Sequence, residues 1–386
     1  MISKIGYSQL DDAYQAGVEA GAMAQIKGAK VVFAYASCNY DIAELLKGLK
    51  SQFKCPVIGN TSFTGVVLPE GFITGDKFVG VMALGGKDLE VGVGFADRKD
   101  FESAREAGVS ACNQAMAKFK KYGKPNMMYM CASPTEEEFF LKGISSVIGR
   151  VPLFGGSAAD NTIEGKWSLY ANENVTGEGV AVAVMYTDAP FANKFTGAYR
   201  ETKDMGIITE ISGNRCLVKI DKKPALEKYA SWRKMDVESL KGNALLSETI
   251  VSPLGVKDRL GDLVAIRHPM FGNDDCSMNI GANLAVGTAV IRMEASVDEL
   301  IASVENTLNE LKAKIGGEVE CYHLVHCGGR RAGIADRIEE VYAGVKNAIG
   351  DTPFIMEFTF GEYGFEDDGR NTIGGLMLSF TAFGKK

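Results

Sequence analysis

The chain has 386 residues, of which 46% are hydrophobic, and a formal net charge of −7. That apolar share supplies ordinary globular cores and excludes a disordered chain. The acidic balance excludes non-specific nucleic-acid binding, which needs a basic face, and with no apolar run of about 18 residues no membrane-spanning helix is expected.

At roughly 100–200 residues per domain, two or three domains are expected. The N-terminus turns acidic at Asp11-Asp12, where a secretory signal would be apolar,. The eight cysteines form no Cys-x-x-Cys pair, so zinc-ribbon spacing is absent,. Reduced, mostly buried thiols in a cytoplasmic protein are the expectation.

In chain order, strand Ile2–Ser8 leads to a helix over Asp11–Ile26, whose face of Ala13, Gly17, Ala20 and Ala24 is small enough to lie close on a neighbour,. Strand Lys30–Ala36 is apolar throughout, as a strand covered on both faces is,. After Ser37-Cys38-Asn39, helix Asp41–Phe53 carries Ile42, Leu45, Leu46 and Leu49 on one side,. Strands Pro56–Gly59, Val66–Leu68 and Phe78–Leu84 close this first unit.

The order then repeats. Strand Leu89–Phe95, helix Phe101–Lys121 and strand Asn126–Ala132 end at Ser133-Pro134-Thr135-Glu136, which reads as a capping box with Pro at the first helical position,. Strand Val151–Phe154 and strands near Trp167–Tyr170 and Gly179–Tyr186 follow. A third unit is expected to begin with strand Val286–Met293 and a second capping box at Ser296–Glu299. It continues through Cys321–Phe383, read as strand, Gly-Gly-Arg-Arg turn, helix, strand, Gly-Glu-Tyr-Gly turn and strand. A proline recurs before the second inner strand as Pro56, Pro152 and Pro353; the second interval is the longer because Asp188–Ala285 is interposed. Strands there, such as Arg215–Ile220 and Leu263–Ile266, are expected to extend the third unit's sheet.

The fold class is therefore α/β: three related strand-helix-strand-helix-strand units with mixed sheets, the third enlarged by an inserted segment. The expected division is 1–187, holding two units, and 188–386, holding the inserted segment and the third.

A helical crossover makes the two inner strands of each unit parallel, and ligands in open α/β sheets bind at the carboxyl edge of such strands. That edge pairs Ser37–Asn39 with Asn60–Ser62, Ala132-Ser133 with Gly155–Ser157, and Cys327–Arg331 with Gly361–Tyr363. The third pair carries charge. Arg330 and Arg331 stand where a helix begins, which disfavours cations, and so imply an anion there. Gly328 and Gly329 would let backbone N–H groups approach that anion. Glu362 would receive an ammonium group; together these suit an amino acid or another small acid. The plainer alternative is that Glu362 pairs with one arginine and closes the turn. Arg267 and His268, beside Pro269, are the second candidate lining.

The rival class is a thiol-dependent hydrolase or transferase using Cys327 or Cys38, since a thiol at a helix start is activated. A scaffold with an empty crevice is the third possibility. The chain holds three histidines, His268, His323 and His326, and none is near Cys38 in sequence. His323 and Cys327 share one strand face and His326 points the other way, so no metal site is assigned. No phosphate-loop or dinucleotide glycine pattern is present, and no cofactor is assigned.

The stretches KVVFAYAS, CPVIGNTSFTG and PLFGGSAAD resemble the FIST N domain. PALEKYA, RHPMF, HLVHCGGRRAG, PFIMEFTFGEYG and the late Asn371-Thr372 resemble the FIST C domain of the same family, the F-box and intracellular signal transduction proteins. The resemblance implies a sensory input module for a small ligand and adds Asn371 to the expected site. Many members carry an output domain; none follows here before Lys386, so a separate signalling partner is expected.

Overall fold

The structure is a computed structural model and describes residues 1–119, 123–257, 264–365 and 371–386. The first unit runs β1 (Ile2–Ser8), α1 (Ala13–Met23), β2 (Ala29–Ala36), α2 (Ile42–Gln52) and β3 (Val57–Thr61), then the hairpin β4 (Gly65–Leu68) and β5 (Gly71–Thr74), then β6 (Val79–Gly85). Asp12 and Asp41 start its helices by accepting from the backbone N–H of Gln15 and Glu44,. The second unit repeats this as β7 (Leu89–Asp97), α3 (Ala104–Met116), β8 (Met127–Ala132), α4 (Glu137–Ile148), β9 (Leu153–Ser157), hairpin β10 (Leu169–Ala171) and β11 (Asn174–Thr176), and β12 (Gly179–Thr187).

The third unit opens with β13 (Phe191–Thr196). The inserted segment follows as β14 (Arg200–Ser212), β15 (Cys216–Ile220), β16 (Lys223–Pro224), α5 (Ala225–Arg233), β17 (Asn243–Ala244), α6 (Leu246–Thr249), β18 (Leu254–Lys257), β19 (Val264–Arg267), β20 (Pro269–Gly272), β21 (Met278–Ile280) and β22 (Ala289–Glu294). The unit resumes with α7 (Val297–Ile315), β23 (Val319–Cys327), α8 (Gly328–Ile334), α9 (Ile338–Ile349), β24 (Phe354–Thr359), hairpin β25 (Glu362–Phe365) and β26 (Asn371–Gly374), and β27 (Leu378–Gly384).

Three six-stranded sheets share one strand order: β1-β6-β2-β3-β10-β11, β7-β12-β8-β9-β25-β26 and β13-β27-β23-β24-β4-β5. The inner pairs β2–β3, β8–β9 and β23–β24 are parallel and the other pairings antiparallel. The last two strands of each sheet are a hairpin lent by another unit, and the lending is cyclic. Unit one gives β4–β5 to unit three, unit two gives β10–β11 to unit one, and unit three gives β25–β26 to unit two.

Each sheet turns one face to a core shared by all three, where Phe33, Tyr129 and His323 meet with ring centroids 5.0–5.6 Å apart. The other faces are covered by helices. The small-residue faces explain how closely the helices pack. A Cβ on Gly17 would stand 2.3 Å from the Leu45 carbonyl oxygen and one on Gly48 2.1 Å from that of Tyr14. The same reciprocal contact joins α3 and α4, with Gly108 against Phe140 and Gly143 against Arg105.

Several local expectations are corrected. The third unit starts at β13, and the strand at 289–294 lies between β14 and β18 in a separate nine-stranded sheet. The insertion thus falls between the unit's first strand and first helix, and β15 and β19 belong to that sheet rather than extending the third. Leu263 lies outside the described residues, as do Lys120 and Lys121 of the expected helix 101–121. No capping box forms at Ser133–Glu136: α4 begins after Glu136 without a side-chain cap, and the Ser133 hydroxyl instead accepts from the Gly179 N–H at 3.1 Å. The box at Ser296–Glu299 does form. The expected Gly-Glu-Tyr-Gly turn is largely strand, β25, because it pairs with β9 and β26.

Candidate ligand-binding site

The carboxyl ends of the three parallel pairs converge, tied by backbone bonds that go round the units. Ala159 N donates to Thr61 O, Ser157 N to Gly361 O, and Phe63 N to Phe358 O, at 2.8–2.9 Å. At this edge a cavity of about 270 Å³ opens between the strand-end loops and the inserted segment. Phe63, Trp167 and Phe360 line it, with the Phe360 ring centroid 5.7 Å from that of Phe63 and 6.0 Å from that of Trp167. The inserted segment adds Leu246, Ile250, Met270 and Ile280, and the start of α8 adds Gly328, Gly329 and Ala332.

Among the described residues two charged side chains line the cavity, Glu137 and Arg215, and they are paired with each other. The Arg215 guanidinium bridges the Glu137 and Glu138 carboxylates at 2.5 and 2.7 Å and donates to the Gly281 carbonyl at 3.1 Å. Glu137 also accepts from the Ser157 hydroxyl at 2.9 Å. Burial raises the Glu137 carboxyl above its ordinary range, with Arg215 opposing it.

Of the residues singled out in the sequence, Cys327, Gly328, Gly329 and His268 line the cavity. Cys327 Sγ accepts from the backbone N–H of Gly329 and of Leu376, each at 3.2 Å. Burial and the nearby Glu362 push its thiol up all the same. Burial lowers His268 to about 3, with the Leu246 backbone working the other way, and among the described residues its Nε2 has no partner. Glu362 is buried behind Cys327 and accepts from the Thr359 hydroxyl at 3.0 Å and the Met377 N–H at 2.9 Å. Burial raises its carboxyl to about 8, and those two bonds, Cys327 and Arg330 pull it down.

The expected arginine clamp does not form at this edge. Arg330 is buried against α7, donating to the Leu300 carbonyl at 2.7 Å and to the Ser303 hydroxyl, with Nε and Nη1 unpartnered among the described residues. Arg331 leaves in another direction, its guanidinium 4.9 Å from the Phe72 ring centroid and donating to the Ala335 carbonyl. Successive helical residues point about 100° apart, so the two cannot close on one anion. Arg267 donates to the Asn283 and Ile373 carbonyls and ties the inserted segment to β26. Asn371 donates to the Val151 carbonyl at 2.7 Å. Cys38, half-buried with its thiol pushed up chiefly by burial, does not line the cavity.

Sequence reasoning missed the aromatic wall and the Arg215–Glu137 pair. One signal was available: Phe63 and Phe360 each stand seven residues after a repeat proline, Pro56 and Pro353.

In the shared core a second polar group is closed off from solvent. The Tyr129 hydroxyl meets that of Tyr35 at 3.2 Å and donates to Asn60 Oδ1 at 3.1 Å, while Asn60 Nδ2 donates to Glu357 at 2.9 Å. The Tyr35 hydroxyl also meets His323 Nε2. Burial raises Glu357 to about 8 and lowers His323 to about 3.

Fold and cavity define an α/β protein of three interlocked units with a recessed cavity at the carboxyl edge of their sheets. The chain belongs to the FIST family: the FIST N domain matches residues 30–223 and the FIST C domain residues 225–364. FIST domains are small-ligand sensory domains of signal transduction. No curated protein matches the chain. Among solved structures it is similar to a cyanuric acid hydrolase from A. caulinodans, at 10% identity and a TM-score of 0.36 over 100% of this chain and 99% of that one. It is also similar to PurLQS from Thermotoga maritima, at 11% identity and a TM-score of 0.23 over 99% and 72% of the two chains. Both likenesses are too weak to carry functional argument. Among the described residues no helix is long and apolar enough to cross a membrane, and no three His, Cys, Asp or Glu side chains are grouped to hold a metal ion.

Proposed function

We propose that the chain is a cytoplasmic sensor that binds a small ligand in the cavity between the strand-end loops and the inserted segment, and reports through a separate signalling partner. The observation that carries the reading is the cavity itself, at the carboxyl edge where α/β sheets bind ligands,. In this reading Cys327, Gly328, Gly329 and His268 meet the ligand, and Glu362 supports Cys327 from behind. Arg330, Arg331, Arg267 and Asn371 hold the surrounding elements. An amino acid or small acid would need a cation for its carboxylate, and would have to take Arg215 from Glu137 or Glu138.

Trp167 lines the cavity, and the chain's only other tryptophan is Trp232. In Trp232→Phe, a bound ligand should change the emission of Trp167 and raise the melting temperature, since binding to the folded state stabilises it. Ala332→Trp at the cavity wall should abolish both responses. A screen of amino acids, small acids and neutral small molecules that moves neither signal would remove the reading.

A further inference from the structure

We propose that the ligand is a neutral aromatic molecule carrying one hydrogen-bond donor, a phenol or an indole, with His268 Nε2 as its acceptor. The proposal rests on the sensory reading and names its ligand class. Three features of the cavity point there.

The first is charge. Glu137 and Arg215 are bonded to each other, and Glu138 shares the same guanidinium. A charged ligand must break that cluster, whereas a neutral one leaves it whole. The second is the lining. Phe63, Trp167 and Phe360 offer ring faces and edges, and Leu246, Ile250 and Ile280 offer aliphatic surface. Apolar walls with few polar groups suit a ligand whose body is apolar, and about 270 Å³ lies just below the range for drug-sized molecules,.

The third is the imidazole. Burial holds His268 neutral, so one ring nitrogen carries the proton and the other a lone pair,. With the proton on Nδ1, Nε2 is a lone-pair acceptor, and among the described residues it is buried without a partner,. A buried acceptor left unpaired carries its full desolvation penalty, which a donor on the ligand would cancel. The space beside the ring is kept by Gly329: a Cβ there would stand 3.4 Å from His268 Cε1 and 3.5 Å from Cys327 Sγ.

The test is calorimetric titration of the full chain with 4-ethylphenol, with 4-ethylanisole, which has the same ring but no donor, and with phenylalanine. The expected result is binding of the phenol, about tenfold or more weaker binding of the ether, and near-equal affinities in His268→Phe. Circular dichroism and melting temperature check that this variant folds; the phenol–ether comparison on the unaltered protein needs no variant. Equal affinity for phenol and ether would overturn the donor inference while leaving a small-ligand sensor. Binding of phenylalanine with neither neutral compound would overturn it too, again with the sensor reading intact. If no compound of the wider screen binds, both fall.

Discussion

Replacing Glu357 by glutamine removes a proton that folding has to take up. Burial raises this carboxyl from its ordinary 4.5 to about 8, with Asn60 and Tyr35 opposing and Glu362 adding to the rise. At pH 7 the unfolded carboxyl has lost its proton and the folded one keeps it. Holding that proton costs about 1.4 kcal/mol for each pH unit above 4.5, or about 3 kcal/mol at pH 7. The sign follows from the direction of the shift. A folded group that binds protons more tightly contributes stability below pH 4.5 and loses it as the pH rises toward 8. The side-chain amide in Glu357→Gln carries no such penalty, and its oxygen accepts from Asn60 as the carboxylate does.

Urea denaturation of both proteins at pH 5, 6, 7 and 8 measures the effect. The variant should be within about 1 kcal/mol of the parent at pH 5 and exceed it by about 3 kcal/mol at pH 7, the gap widening to pH 8. A gap independent of pH, or a variant that loses ground as the pH rises, would show that the folded carboxylate is ionised and refute the argument.

Other expectations follow from the same packing. His323 is lowered to about 3, so it contributes stability above its ordinary 6.5 and loses it as the pH falls through that value,. In His323→Gln the stability lost between pH 7 and 5 should shrink, as acid titration followed by tryptophan emission would show. Gly143→Ala drives a methyl group against the Arg105 carbonyl oxygen and should lower stability by about 1–3 kcal/mol in urea,. Arg215→Met leaves Glu137 buried without its cation and should lower stability by about 3 kcal/mol at pH 7,. That loss should be smaller at pH 5, where the already raised Glu137 carboxyl takes up a proton more readily.

Most of the element order was legible because each unit writes it twice over, in apolar inner strands and in helices with one-sided faces. Three things were not. The third unit's first strand, Phe191–Thr196, buries only Ala192 and Phe195, three positions apart and out of step with a strand's period of two, and carries Asn193 and Lys194,. The strand at 289–294, set just before a true capping box, mimicked the strand-to-helix order better. The exchange of hairpins between units is a long-range pairing; β24 meets β4 through the register pair Met356–Val67, and no local pattern encodes that. At the site, the glycines and Cys327 were legible from their place after an inner strand. The arginines misled because adjacency in sequence suggested convergence in space, whereas adjacent helical residues diverge.

The repeat also says what Cys327 does in the fold. Ser37, Ser133 and Cys327 each stand four residues after Phe33, Tyr129 and His323, which meet in the shared core. In all three places the side chain ties the end of the second strand to the segment that enters the unit's last strand. The Ser37 hydroxyl donates to the Asp76 carbonyl at 2.6 Å, that of Ser133 accepts from the Gly179 N–H, and Cys327 Sγ accepts from the Leu376 N–H. A hydroxyl therefore serves this position in the other two units. Cys327→Ser should keep both backbone bonds and change stability by no more than about 1 kcal/mol. Ligand affinity, read from Trp167 emission, should hold within a few-fold, because serine keeps a small side chain at that point of the cavity wall and His268 is untouched. Loss of binding with the melting temperature unchanged would mean that binding requires sulfur in particular and not just a small side chain there, and would return thiol chemistry to the centre of the site.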